Sequence, residues 1–176
     1  GTTAQGGASG EPMPGAVAGW TQVFADDFVT DQSLGTWPGA YEAKWDGYDC
    51  TSNPCDTAKQ GMYDRKGVVS AKNGMMDYYL HTANGYPRVA AESPKIGGDA
   101  WDGETYGRYS VRWKVDAGLQ GYKNAWLLWP NGSWNDGEID FPEGNLTSGV
   151  YAFNHCIGNP SQNCAAFDGG VKFASG

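Results

Sequence analysis

The sequence predicts an all-β protein, an antiparallel β-sandwich or jelly roll, and three observations carry that reading. Strand-like runs recur at short intervals between turn signals. Aromatic residues are abundant, with 8 Trp, 10 Tyr and 6 Phe. Glycine supplies 27 of 176 residues, roughly twice average usage, whereas leucine occurs only six times. No segment shows the 3.6-residue periodicity of an amphipathic helix. Strands of this number and spacing suit two packed antiparallel sheets.

Residues 1–18, rich in Gly, Ala, Ser and Pro, read as a flexible lead-in, and residues 19–176 as one domain. Thr21 to Phe28 reads as a first strand, with Phe24 and Phe28 on one face. Trp37 to Gln60 reads as a long irregular loop pinned by Cys50 and Cys55. Val68 to Ala71 and Met75 to His81 flank Asn73-Gly74, a strong hairpin signal. A second pair, Asn84-Gly85, leads into Tyr86 to Ala91. Tyr106 to Val115 alternates with period two. Tyr109, Val111, Trp113 and Val115 fall on one face, and Arg108, Ser110, Arg112 and Lys114 on the other, as in a half-buried strand. Asn124 to Trp129, Gly137 to Glu143 and Val150 to Cys156 are further strands.

The formal net charge is −8. The 12 basic residues are scattered, so no basic stripe offers a nucleic-acid surface. An acidic surface also disfavours polyanionic ligands such as sulfated or uronic polysaccharides. The longest apolar run, Ala125 to Trp129, falls far short of the roughly 20 residues that span a bilayer, so a soluble chain with no membrane partner is expected. The four cysteines form two close pairs, Cys50/Cys55 and Cys156/Cys164. There are only two His, neither beside a Cys pair at a zinc-like spacing, so no metal ligands are expected. Two local disulfides in a secreted, extracellular monomer fit better. Four cysteines allow three connectivities, and proximity favours Cys50–Cys55 with Cys156–Cys164.

Motifs for phosphate, dinucleotide, serine-nucleophile and zinc-protease chemistry are missing, and paired cysteines make poor nucleophiles. Carboxylates remain. Their densest arrangement is Gly137-Glu138-Ile139-Asp140-Phe141-Pro142-Glu143. In a strand, Glu138 and Asp140 share one face, while Ile139 and Phe141 suit a core on the other. Simple alternation would bury the charge of Glu143. One extra residue, a β-bulge, returns Glu143 to the carboxylate face. Pro142 supports a bulge, because proline within a sheet is confined to edges and bulges. Like charges held together push at least one pKa up, producing an acid beside a base. Glycoside hydrolysis uses such a pair. On spacing alone, the alternative is a solvated acidic strand edge.

Aromatic residues surround this segment. Trp126, Trp129 and Trp134 lie upstream, and Tyr151, Phe153 and His155 share a strand parity downstream. Trp129, with the parity of Ala125 and Leu127, reads as core. Trp126 has the opposite parity and reads as reaching a cleft. Trp134 lies in a polar turn where burial is less expected. His155, beside a disulfide cysteine, suits a structural hydrogen bond as well as a substrate contact. His81 reads as ordinary surface.

At these residues the sequence resembles glycoside hydrolase family 16. Glu138-x-Asp140-x-x-Glu143 is similar to that family's bulged signature. The resemblance includes Val23-Phe24-x-Asp26-Asp27-Phe28, Tyr106-Gly107-Arg108, Val111-Arg112, Ala125-Trp126-Leu127-Leu128, Trp134 and Gly137. It covers about residues 20 to 156. It implies a concanavalin-like jelly roll with a concave carbohydrate-binding cleft. Glu138 would be the nucleophile, Glu143 the general acid/base, and Asp140 the partner that tunes the nucleophile. Trp126, Trp134 and His155 match substrate-binding positions. Some members carry a structural calcium, whose ligands are not assignable in this sequence, and the chemistry itself needs no cofactor. Two departures stand out. The family's Trp-Pro-Ala-Phe-Trp is here Tyr122-Lys123-Asn124-Ala125-Trp126. The resemblance also implies strands beyond Gly176, so part of the catalytic domain is expected outside this chain.

The expected function is retaining endo-hydrolysis of β-1,3 or mixed-linkage β-1,3/1,4 glucans. The substrate partner would be a neutral polysaccharide or oligosaccharide. The alternatives are a hydrolase or transglycosylase acting on another neutral glycan, such as a galactan, and a non-catalytic glycan-binding jelly roll. The sequons Asn131-Gly132-Ser133 and Asn145-Leu146-Thr147 flank the carboxylate strand, where a glycan would crowd a cleft, so neither is expected to be occupied.

Overall fold

The computed structural model describes residues 15–98, 103–116, 119–147 and 149–164. Most of the expected lead-in, residues 1–14, and the closing residues 165–176 lie outside the described residues. The chain divides into two compact units, Gly1–Asp102 and Gly103–Gly176. Their described strands pair antiparallel with one exception, and among the described residues helix is confined to a single four-residue turn and two 3-10 turns. The chain is therefore all-β in class.

In the first unit the order is β1 (Trp45–Gly47), β2 (Met62–Tyr63), α1 (Arg65–Val68), β3 (Val69–Lys72), β4 (Met75–Tyr78), β5 (His81–Ala83), β6 (Tyr86–Val89) and β7 (Glu92–Pro94). Both Asn-Gly expectations hold. Lys72 pairs with Met75, leaving Asn73 and Gly74 as a two-residue loop at φ 56° and 74°. Ala83 pairs with Tyr86 around Asn84 and Gly85 at 52° and 80°. Two successive positive φ angles give the turn whose twist matches the flanking strands. The core is Trp37, Tyr41, Val68, Val69 and Ala71, with Phe28, Trp45, Met76, Leu80 and Ala90 packed against it. Val68 and Val69 are both fully buried because the first ends α1 and the second opens β3. Asp64 caps that turn, accepting from the Gly67 N–H at 2.8 Å. Arg65 reaches from α1 to Glu92 of β7 through two bonds of 2.7 and 2.8 Å, a forked pairing with a fully buried carboxylate.

Two expected strands are corrected. Thr21 to Phe28 makes no ladder. Asp26 offers the backbone another partner: its Oδ1 accepts from the Phe28 N–H at 3.1 Å, and its Oδ2 from the Trp45 indole at 2.9 Å. Such local acceptors compete with sheet pairing, and Phe28 turns to φ 48°. Phe24 and Phe28 nevertheless share a target, with ring centroids 5.4 and 5.7 Å from that of Trp45. Tyr106 to Val115 also forms no strand, and Tyr109, Val111 and Val115 are exposed. Alternation tells which residues share a face, but a strand also needs a neighbour to pair with. The stretch from Trp37 to Gln60 is less irregular than expected. It holds a 3-10 turn over Gly39–Tyr41, the strand β1 and two core aromatics.

In the second unit β8 (Lys123–Leu128), a 3-10 turn (Trp134–Asp136), β9 (Glu138–Asn145), β10 (Val150–Cys156) and β11 (Asn159–Asn163) follow in order. They make one four-stranded antiparallel sheet, ordered β11-β10-β9-β8. The expected disulfides are both formed, Cys50–Cys55 in the first unit and Cys156–Cys164 in the second. Among the described residues no helix is long and apolar enough to cross a membrane. The two disulfides fit an extracellular protein.

Candidate active site

The carboxylates stand on β9, and its register with both neighbours contains the expected bulge. Across β10, Asp140 pairs with Phe153 and Glu143 with Tyr151, so Phe141 and Pro142 together oppose Ala152. Across β8, Asp140 pairs with Leu127 and Glu143 with Ala125, so the same two residues oppose Trp126. Two residues against one restore parity. Glu138, Asp140 and Glu143 therefore share a face. The Pro142 carbonyl is taken up by Asn124 Nδ2 at 3.0 Å.

Gly137 sets the entry to β9. It lies at φ 93°, and a Cβ there would meet Ile157 Cγ1 at 3.1 Å and the His155 carbonyl at 3.3 Å, so glycine suits it on both counts. The preceding 3-10 turn is closed by Ser133, whose N–H donates to Asp136 Oδ2 at 2.8 Å.

On the β10 side, His155 pairs with Glu138, so Tyr151, Phe153 and His155 line up beside the three carboxyls. Their rings form a row: Tyr151 to Phe153 6.3 Å, Phe153 to His155 6.4 Å and His155 to Trp134 5.8 Å. Trp134 thus stands at the edge of the carboxylate face and is 40% exposed. Trp126 lies on the other face. Leu127 pairs with Asp140, so Trp126 shares the reverse face with Leu128, the partner of Ile139. Parity within β8 could not say which set of residues meets the carboxylates; only the register with β9 does. Trp129, read as core, is 54% exposed. It lies just past the end of β8, where no ladder orients it.

Asp140 is buried, and its Oδ2 is 2.9 Å from His155 Nε2. The other ring nitrogen, Nδ1, lies 2.7 Å from the Pro160 carbonyl. A carbonyl only accepts, so Nδ1 carries a proton and donates. Nε2 can then meet Oδ2 at this distance only through a second, shared proton. Burial, then the hydrogen bond and charge of Glu138, push Asp140 up to about 7, with Glu143 adding to the rise and His155 opposing it. For His155, burial works against the charged ring. The Pro160 carbonyl outweighs it, with Asp140 and Glu138, and the net pKa is raised. One atom each from Glu138, Asp140 and His155 lies within 4.8 Å of the others. Pro160 was missed from the sequence because its contribution is a backbone carbonyl, which carries no residue-type signal.

No family model, curated protein or solved structure matches the chain.

The arrangement offers a carboxylate, Glu138, beside a buried group that retains a proton near neutrality, and a second glutamate across the bulge. A row of flat rings borders them. Such a surface can hold a sugar ring by stacking and deliver both a nucleophile and a proton.

Proposed function

We propose that this protein is a secreted, retaining endo-acting glycoside hydrolase of β-1,3 or mixed-linkage glucans, built on a concanavalin-like jelly roll. The observation that carries the reading is the bulge of β9, which brings Glu138, Asp140 and Glu143 to one face beside an aromatic row. It is the backbone feature that the resemblance to glycoside hydrolase family 16 requires. In this reading Glu138 attacks the anomeric carbon while Glu143 protonates the departing oxygen. A glycosyl ester forms, and Glu143, now a base, activates water to release it with net retention. Asp140 shares its proton toward Glu138 and His155 and so sets the charge on the nucleophile. Trp134 stacks on a sugar ring at the cleft edge.

The test is a reducing-sugar assay on laminarin with the wild type and Glu138→Gln. The amide is nearly isosteric and cannot attack, so turnover should fall by several orders of magnitude with the thermal melt unchanged. Wild-type activity in a folded, uncontaminated Glu138→Gln sample would falsify the nucleophile assignment. Glucan binding by the wild type with no product would favour the non-catalytic glycan-binding alternative.

A further inference from the structure

We infer that Asn131-Gly132 is a self-modification site, where the chain converts its own asparagine to aspartate and isoaspartate beside Trp134. The conversion is independent of the proposed function; only its effect on sugar binding rests on that reading. The sequence holds three Asn-Gly pairs, Asn73-Gly74, Asn84-Gly85 and Asn131-Gly132. A glycine after asparagine has no Cβ to obstruct attack of its nitrogen on the asparagine side chain. The attack also needs the asparagine to rotate until that nitrogen faces its side-chain carbonyl carbon. Two of the pairs are denied this. They are two-residue loops clamped by Lys72 with Met75 and by Ala83 with Tyr86, and their asparagines are fixed at φ 56° and 52°. Each hairpin end has to open before the ring can close. Asn131-Gly132 instead joins β8 to the 3-10 turn outside any ladder, and residues 131–133 are all exposed.

A second observation sets this pair apart. Asp136 Oδ2, which accepts from the Ser133 N–H at 2.8 Å, lies against the Gly132 α-carbon on the side where a Cβ would stand. A carboxylate this close can take, through one water, the proton that the Gly132 nitrogen sheds as it attacks. The new C–N bond forms at the Asn131 side-chain carbonyl carbon, the bond to the amide nitrogen breaks, and ammonia leaves with the proton. Water then opens the five-membered ring at either carbonyl carbon. One opening leaves aspartate. The other leaves isoaspartate, whose main chain runs one carbon longer through the former side chain. Either product sets a new carboxylate near Asp136, and like charges held together repel. Asp136 closes the turn that carries Trp134, through its own N–H to the Ser133 carbonyl at 2.8 Å as well as through Oδ2. The same turn is tied to the β10–β11 hairpin by the Gly158 N–H on the Asn135 carbonyl at 2.7 Å. Loosening it shifts Trp134 relative to His155, now 5.8 Å away between ring centroids, and weakens stacking on a sugar.

The experiment is ageing of the full chain in warm, mildly alkaline buffer, followed by peptide mapping and a laminarin assay. The expected result is a gain of one mass unit at Asn131, with isoaspartate detected there, more than about tenfold faster than at Asn73 or Asn84. The three rates come from one wild-type sample, so no variant has to fold. Asp136→Asn should slow the change at Asn131 and leave Asn84 as it was. In Asn131→Gln the corresponding ring forms far more slowly, so its KM for laminarin should hold on ageing while that of the wild type rises with kcat little changed. An unmodified Asn131, a rate no faster than at the hairpin pairs, or a glycan already on the Asn131 amide overturns the inference. Modification at Asn131 in a chain that never hydrolyses laminarin supports the site and rejects the glycosidase reading. Modification of an active enzyme whose KM does not move supports the site and overturns its link to Trp134.

Discussion

Asp140 carries the clearest consequences at the scale of single residues. Its neighbours were readable as a linear pattern of carboxyls, but its principal partner was not, because His155 meets it only through the pairing of β9 with β10. A carboxyl whose pKa is higher in the folded chain binds its proton more tightly there. Its contribution to stability is fully present below the unfolded value, near 4, and is lost as pH rises through about 7. Asp140→Asn keeps the shape and removes the titration. The melting temperature of the variant minus that of the wild type should therefore become more positive from pH 4 to pH 8, measured with a chelator present. A difference that is flat or falls with pH would show that Asp140 does not hold its proton in the fold. Glu143 invites a different measurement. If it protonates the departing oxygen, Glu143→Ala should slow substrates with poor leaving groups far more than activated aryl glycosides. Equal losses on both would count against the acid role.

Secondary-structure elements differ in how far the sequence exposes them. The two hairpins of the first unit were legible because Asn73-Gly74 and Asn84-Gly85 need positive φ and few other residues tolerate it. The bulge of β9 was legible because burying Glu143 would have been so unfavourable. By contrast, β11 is the polar run Asn159–Asn163, with no alternation to mark it. It is held to β10 by the register of His155 with Asn163, by the Cys164 N–H bonded to the Asn154 carbonyl at 2.6 Å, and by the Cys156–Cys164 disulfide. The same hairpin supplies the Pro160 carbonyl to His155. Replacing both Cys156 and Cys164 by Ala should lower unfolding free energy by about 2.5 kcal/mol, the loop-closure value for so short a ring. It should also loosen the His155 ring, read as a changed imidazole chemical shift. A denaturant midpoint and an imidazole signal that both stay put would mean the strand pairing alone positions the histidine.

For the whole molecule, class was legible and arrangement was not. Glycine and aromatic content, turn spacing and missing helical periodicity led to an all-β chain, and the described strands are that. Which strands pair depends on contacts between residues far apart in the sequence, and alternation at Tyr109, Val111 and Val115 could not reveal that no described strand lies beside them. Net charge is a whole-molecule property that does bear on function. At −8 the chain repels polyanions over a distance set by salt, which falls from about 30 Å at 0.01 M to about 3 Å at 1 M. A neutral glucan feels none of this. The KM for laminarin should therefore change by less than about twofold across that range. Any weak action on a sulfated galactan should instead improve as salt rises, since screening removes the repulsion. Initial rates on the two polymers over a salt series make the comparison. A KM for laminarin that climbs steeply with salt would mean that the site draws its substrate in by charge, which an acidic cleft cannot do for a neutral sugar, and the choice of a neutral glucan would fall.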